Sequence, residues 1–246
     1  LPIKDILIYV DATPASEDSL ALAADLAQRF EARLTGVGLA DDITAEELFR
    51  DRLDKTKVAG DWRPATTELG VFVTRRAKAC DLVVLGQPVP GASSALGPPE
   101  DVILGCGRPV LVVPHAWRFL APIGAIALVA WNASREVTRA LHDALPLLAG
   151  TTAVTVFSVH PDPDEDWLLD GELVRHLARH GLEAVEERVS PVGMTVAEAV
   201  IARMTEVGAD FLVMGAYGHS RLREIILGST TRDILREMKV PVLMSH

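Results

Sequence analysis

Two cysteines in 246 residues, Cys80 and Cys106, are too few to staple a fold, so a disulfide framework is excluded and both thiols read as buried and reduced. Aromatic residues are scarce as well, at 5%, and no apolar run approaches the roughly 20 residues of a membrane-spanning helix. Insertion into a membrane is therefore not expected. Positive charge is in short supply: 24 Lys and Arg stand against 34 Asp and Glu, a net charge of -10. That balance argues against a general affinity for nucleic acid or an anionic lipid surface. The segment Leu1-Pro2-Ile3-Lys4-Asp5 shows no basic stretch ahead of an apolar one, so no secretory leader is expected and the cytoplasm is the expected compartment. No Gly-Lys-Ser/Thr triplet occurs, which excludes a P-loop. Gly36-Val37-Gly38 lacks the third glycine of a dinucleotide fingerprint. The acidic run Asp162, Asp164, Glu165 and Asp166 is broken by Pro161 and Pro163, so it reads as a solvated loop and no metal ligands are assigned.

What the chain does have is apolar content, 49%, and an internal repeat. Asp81-Leu82-Val83-Val84-Leu85-Gly86 returns as Asp210-Phe211-Leu212-Val213-Met214-Gly215, and Pro109-Val110-Leu111-Val112 returns as Pro241-Val242-Leu243-Met244. Ile6 to Asp11 is matched by Ile126 to Asn132, each followed by a hydroxyl residue and a long Ala/Leu-rich stretch. A tandem duplication follows, with one repeat over residues 1–116, a boundary between Pro114 and Pro122, and a second repeat over 122–246. Within each repeat, short β-branched runs alternate with helical patterns. The expected fold is α/β: two tandem doubly wound domains, each with a five-stranded, mostly parallel sheet flanked by helices. In the second repeat strands are expected near 124–130, 152–159, 183–189, 210–214 and 241–244. Helices are expected near 134–149, 168–180, 195–207 and 229–238, the third opening with Thr195 and Glu198 as a capping box. The first repeat opens its first helix at Thr13-Pro14, while its middle, 41–66, gives no clear pattern.

The sharpest local signal is Gly215-Ala216-Tyr217-Gly218, nine further residues, and then Gly228-Ser229-Thr230. It runs from an expected strand end into an expected helix, where unpaired N–H groups and a partial positive charge favour an anion. The second repeat carries eleven basic and seventeen acidic side chains, yet 215–239 has Arg221, Arg223, Arg232, Arg236 and Lys239 against Glu224, Asp233 and Glu237. An anion site there is the reading.

This Gly-x2-Gly-x9-Gly-Ser pattern resembles the nucleotide-binding signature of the universal stress protein family, and the resemblance covers nearly the whole chain as two family domains. It implies a stress-response regulator or sensor that binds ATP or a related adenine nucleotide, with Mg²⁺, rather than an enzyme; no catalytic residue is assigned. Phosphate would be held by Gly215, Gly218, Gly228, Ser229 and Thr230, with His219 touching it. The nucleoside end would be met by Asn132, where the family has Asp, and by Val159 at the end of the second strand. In the first repeat Asp11 is kept, but Val89 replaces the second glycine and Pro98-Pro99 follow Gly97. Proline has no N–H to give a phosphate, so this repeat is expected to be silent. The resemblance also implies that residues 109–113 and 241–244 pair as an internal pseudo-dimer, with a homodimer as a further assembly. Two alternatives are weighed: an interaction scaffold of the same fold without nucleotide, and a slow hydrolase working beside His219.

Overall fold

The computed structural model describes residues 2–91, 95–159, 171–190, 192–218 and 229–246. The chain divides into two units, Leu1–Pro122 and Ile123–His246, each built by the same alternation of strand and helix. Unit 1 contains β1 (Asp5–Tyr9), α1 (Pro14–Phe30), β2 (Arg33–Leu39), α2 (Ile43–Thr56), β3 (Gly60–Ala65), α3 (Leu69–Ala77), β4 (Leu82–Gly86), α4 (Pro99–Cys106) and β5 (Val110–Val113). Its strands lie in the order β3-β2-β1-β4-β5, all parallel. Unit 2 contains β6 (Ile126–Ala130), α5 (Arg135–Leu148), β7 (Ala153–Val159), α6 (Glu172–Arg179), β8 (Ala184–Val189), α7 (Val196–Val207), β9 (Phe211–Gly215), α8 (Ser229–Glu237) and β10 (Val242–Ser245). Its order is β8-β7-β6-β9-β10, again all parallel.

Parallel strands need crossover helices, which cover both faces of the sheet and bury its centre. The apolar runs of the sequence are these central strands: Ile6, Leu7 and Ile8 of β1, Leu128 and Val129 of β6 and Phe211 to Met214 of β9 are all buried. Helix α5 turns Val137, Ala140, Leu141, Ala144, Leu147 and Leu148 inward. Each fully buried leucine there contributes about 1.5–3 kcal/mol relative to an exposed one. Thr195 and Glu198 form the expected capping box at the start of α7, and Pro14 opens α1. The unclear stretch of the first repeat is α2, whose N-cap Asp42 accepts from the Ala45 N–H at 3.0 Å, followed by the edge strand β3.

The repeated Asp before β4 and β9 has a structural task. The Asp210 carboxylate accepts backbone N–H groups of Gly124, Ala125 and Ile126 at 3.0–3.2 Å. Asp81 accepts those of Lys4 and Asp5 at 2.8 and 3.0 Å. Each thereby fixes the entry of the first strand at the amino-terminal edge of its sheet. The opposite edge is left for a ligand. Strand order reverses between β1 and β4 in unit 1 and between β6 and β9 in unit 2, and such switch points open a crevice outside the strand ends.

Candidate functional site

In unit 2 the crevice is built from the turns that follow β6 and β9. The β6 turn is an Asx turn: Asn132 Oδ1 accepts from the Ser134 N–H at 3.2 Å. Ser134 in turn caps α5, its Oγ accepting from the Val137 N–H at 3.2 Å. Between them Ala133 takes a left-handed backbone, φ +52. Asn132 is exposed, and its carbonyl oxygen holds the turn while its NH₂ is the group it can offer outward;. Val159 ends β7, half-buried at the same edge, one strand over from β6; the Trp131 N–H donates to Phe157 O at 2.8 Å across that pair.

The turn after β9 packs directly against the start of α5. A Cβ on Gly215 would lie 2.5 Å from Val137 N and 2.8 Å from Glu136 C, both backbone atoms, so only glycine permits this approach. A Cβ on Gly218 would meet Glu136 Oε2 at 2.8 Å and Ser134 Oγ at 3.1 Å. The same turn reaches α8. The Tyr217 N–H donates to Thr231 Oγ1 at 3.3 Å, with Tyr217 itself left-handed at φ +57. Ser229 and Thr230 stand at the first turn of α8, so the two ends of the glycine motif meet through Thr231. Gly228 and His219 lie outside the described residues, as do Arg221, Arg223 and the acidic run near Asp164. Behind the turn, the Ala216 N–H donates to Ser245 O at 2.9 Å, and His246 Nδ1 meets Ala216 O at 3.0 Å.

Two residues of this crevice escape a reading by motif. Thr231 follows the Ser-Thr pair that the pattern names, yet it is the buried one that carries the bond. Glu136 is buried to 8% exposure in the first turn of α5, with its carboxylate beside Gly218. An acidic first turn is common helix grammar, so nothing in the sequence marks this one as facing the glycines.

The matching edge of unit 1 is arranged differently. The Asp11 carboxylate is taken up within its own turn: Oδ1 accepts from the Thr13 N–H at 3.0 Å, Thr13 Oγ1 at 2.5 Å and Ser16 Oγ at 2.7 Å, and Oδ2 from Tyr9 Oη at 3.4 Å. After β4 the buried Gln87 turns its Oε1 to the His115 N–H at 3.0 Å and to His115 Nδ1 at 2.8 Å. Pro98 and Pro99 occupy the start of α4. Both cysteines belong to this unit; they are buried and unbridged, and burial pushes the Cys80 thiol up to about 12.

Residues 126–246 match the model of the universal stress protein family. Over 176 residues the chain is 32% identical to universal stress protein Slr1230 of Synechocystis sp., a match covering 66% of this chain and 57% of that protein. Universal stress protein MJ0577 of Methanocaldococcus jannaschii is 26% identical over 76 residues, which is 27% of this chain and 47% of that protein. The chain thus spans about half the length of the curated relatives it matches. Among solved structures, a universal stress protein from Archaeoglobus fulgidus shares the fold at a TM-score of 0.74 and 19% identity, covering 98% of this chain and 95% of that one.

Proposed function

We propose, from the premise that the chain belongs to the universal stress protein family, that its second unit binds an adenine nucleotide and works as a nucleotide-responsive regulator in a stress response. The observation that carries this reading is the bond from Tyr217 to Thr231 Oγ1. It gathers the Gly215–Gly218 turn and the Ser229–Thr230 end of α8 at one point of the carboxyl edge, where a helix N-terminus favours an anion. Gly215, Gly218, Ser229 and Thr230 are the groups for phosphate, together with Gly228 and His219 of the same motif. Asn132 and Val159 take the nucleoside end. The role is binding, with no catalysed step assigned, and unit 1 is the silent half because Val89 stands where the motif has its second glycine and Pro98 and Pro99, which have no N–H to give a phosphate, open α4;. The compartment we infer is the cytoplasm.

Fit to a triphosphate depends on Glu136. Its carboxylate stands beside Gly218, and two like charges a few ångströms apart repel unless a cation lies between them. Mg²⁺ would supply that neutralisation, with Glu136 as a carboxylate that would hold it. The same residue supports the second reading, a scaffold of this fold that takes no nucleotide, because a buried negative charge in the cradle opposes a phosphate.

Calorimetric titration of the full chain, freed of any co-purified nucleotide, with ATP and with MgATP decides between them. The expected result is micromolar MgATP binding at one per chain, lost in Ser229→Ala/Thr230→Ala. No saturable binding overturns the nucleotide reading and favours the scaffold; two sites per chain overturn the silence of unit 1.

A further inference from the structure

Unit 2 has a second concavity, of about 510 Å³, between α5 and α6 on one face of its sheet. None of Asn132, Val159, Gly215, Gly218, Ser229 or Thr230 lines it, although Trp131 and Ala133, on either side of Asn132, do. Its floor is apolar: Trp131, Leu141 and Leu173 are buried there. Its rim is basic, with Arg175 and Arg179 from α6, His142 from α5 and His176 from α6, against Glu172 as the one carboxylate among the described lining residues. In a chain with a net charge of -10, two guanidinium groups and two imidazoles over an apolar floor make a local site for negative charge.

Three imidazoles lie in a row with tilted and edge-on ring contacts. The His142 and His176 rings lie 5.3 Å apart, and the His176 and His180 rings 4.8 Å apart. His142 Nδ1 donates to Thr138 O at 2.8 Å, which leaves Nε2 as its outward nitrogen. His176 Nε2 is buried without a hydrogen-bond partner among the described residues. A buried polar atom without a partner costs about 1–3 kcal/mol, and an anionic oxygen is one partner that would remove this cost. The volume falls within the range of about 300–1,000 Å³ typical of small-molecule sites, which combine an apolar lining with a few polar anchors.

We propose that the groove between α5 and α6 binds a small organic anion with a planar ring. The ring lies on Trp131, Leu141 and Leu173, and Arg175 and Arg179 hold the phosphate or carboxylate, with His176 Nε2 as a further donor to it. Guanidinium groups suit this because their planar donor fork matches a phosphate or carboxylate. Burial and the neighbouring His180, His142 and Arg179 all disfavour a proton on His176, and a bound anion reverses the electrostatic part of that.

The probe is phenyl phosphate, titrated calorimetrically into the full chain, with inorganic phosphate and phenol as separate arms and the whole series repeated with MgATP present. The expected result is one phenyl phosphate per chain, at least about tenfold tighter than either fragment, unchanged by MgATP and by Gly218→Ala. Arg175 and Arg179 are exposed, so Arg175→Ala/Arg179→Ala is expected to fold as the parent does by circular dichroism. That variant loses at least about tenfold in affinity, and the His176 ring resonances cease to shift on titration. Four results overturn the proposal. They are no saturable binding in the millimolar range, binding untouched by the double substitution, inorganic phosphate as tight as the aryl ester, and loss of binding in Gly218→Ala.

Discussion

Glycine and carboxylate meet at the residue scale, and they separate packing from binding. The Gly215 approach to Val137 N is backbone against backbone. Gly215→Ala should therefore cost unit 2 about 1–3 kcal/mol, the range for overpacking, read from the midpoint of chemical denaturation. At Gly218 the nearest atom is the end of the flexible Glu136 side chain; Gly218→Ala should leave stability nearly unchanged while weakening nucleotide binding. Glu136→Gln removes a negative charge from the cradle. Affinity for ATP without divalent cation is expected to rise about tenfold, or about 1.4 kcal/mol, in a titration with a chelator present. His176 supplies a pH dependence. Burial, His180, His142 and Arg179 hold it below its ordinary value of 6.5, so the unfolded chain binds the proton more tightly. Stability is expected to fall as pH drops through about 6.5 toward the lowered value and to level off below it. An NMR titration of the ring should show a midpoint under 6.5 that moves up in His180→Ala.

At the scale of elements, the readable parts were those with a strong pattern. Strands β6 to β10 and helices α5 and α7 lie within a residue or two of where the pattern places them. Strands β6, β7, β9 and β10 are mostly apolar and the two helices carry clear apolar stripes, while β8, Ala184–Val189, is an exposed edge strand without such a run. Helix α2 gave little signal because it buries only Ala45 and Phe49. Strand β3 was obscured by Pro64, which an edge strand tolerates and a central one does not;. At the candidate site, motif spacing pointed to Gly215, Gly218 and Ser229 through turn and cap chemistry. Glu136 and Thr231 stayed hidden because their significance lies in which neighbour they face, and that depends on three elements packing together. Helix α7 is fixed to β8 by Arg203, which forms a two-pronged pair with Glu187 at 2.5 and 2.6 Å, and it is opened by its capping box. Thr195→Ala should destabilise unit 2 by about 1 kcal/mol, a typical N-cap loss, measured by urea denaturation.

At the scale of the whole molecule, the chain holds two units with one strand topology and unlike carboxyl edges. Hydrogen exchange on the full chain should register that difference. Saturating MgATP is expected to slow exchange around 131–137, 215–218 and 229–231, with no change around 11–16 and 86–89. A ligand at about a hundred times its Kd adds about 2.7 kcal/mol to the unit that holds it. The backbone carries the same contrast. Four described residues other than glycine adopt the left-handed region: Glu31, Lys57, Ala133 and Tyr217. Glu31 and Lys57 end helices, where that conformation is routine;. Ala133 and Tyr217 stand instead at the tips of the neighbouring strands β6 and β9, on either side of the crevice. A residue with a Cβ costs about 1–2 kcal/mol in this region, so the packing around the edge of unit 2 must offset that cost at Ala133 and Tyr217. Unit 1 has no described counterpart. Of the two halves, the second is the one whose non-glycine left-handed residues border its carboxyl-edge crevice.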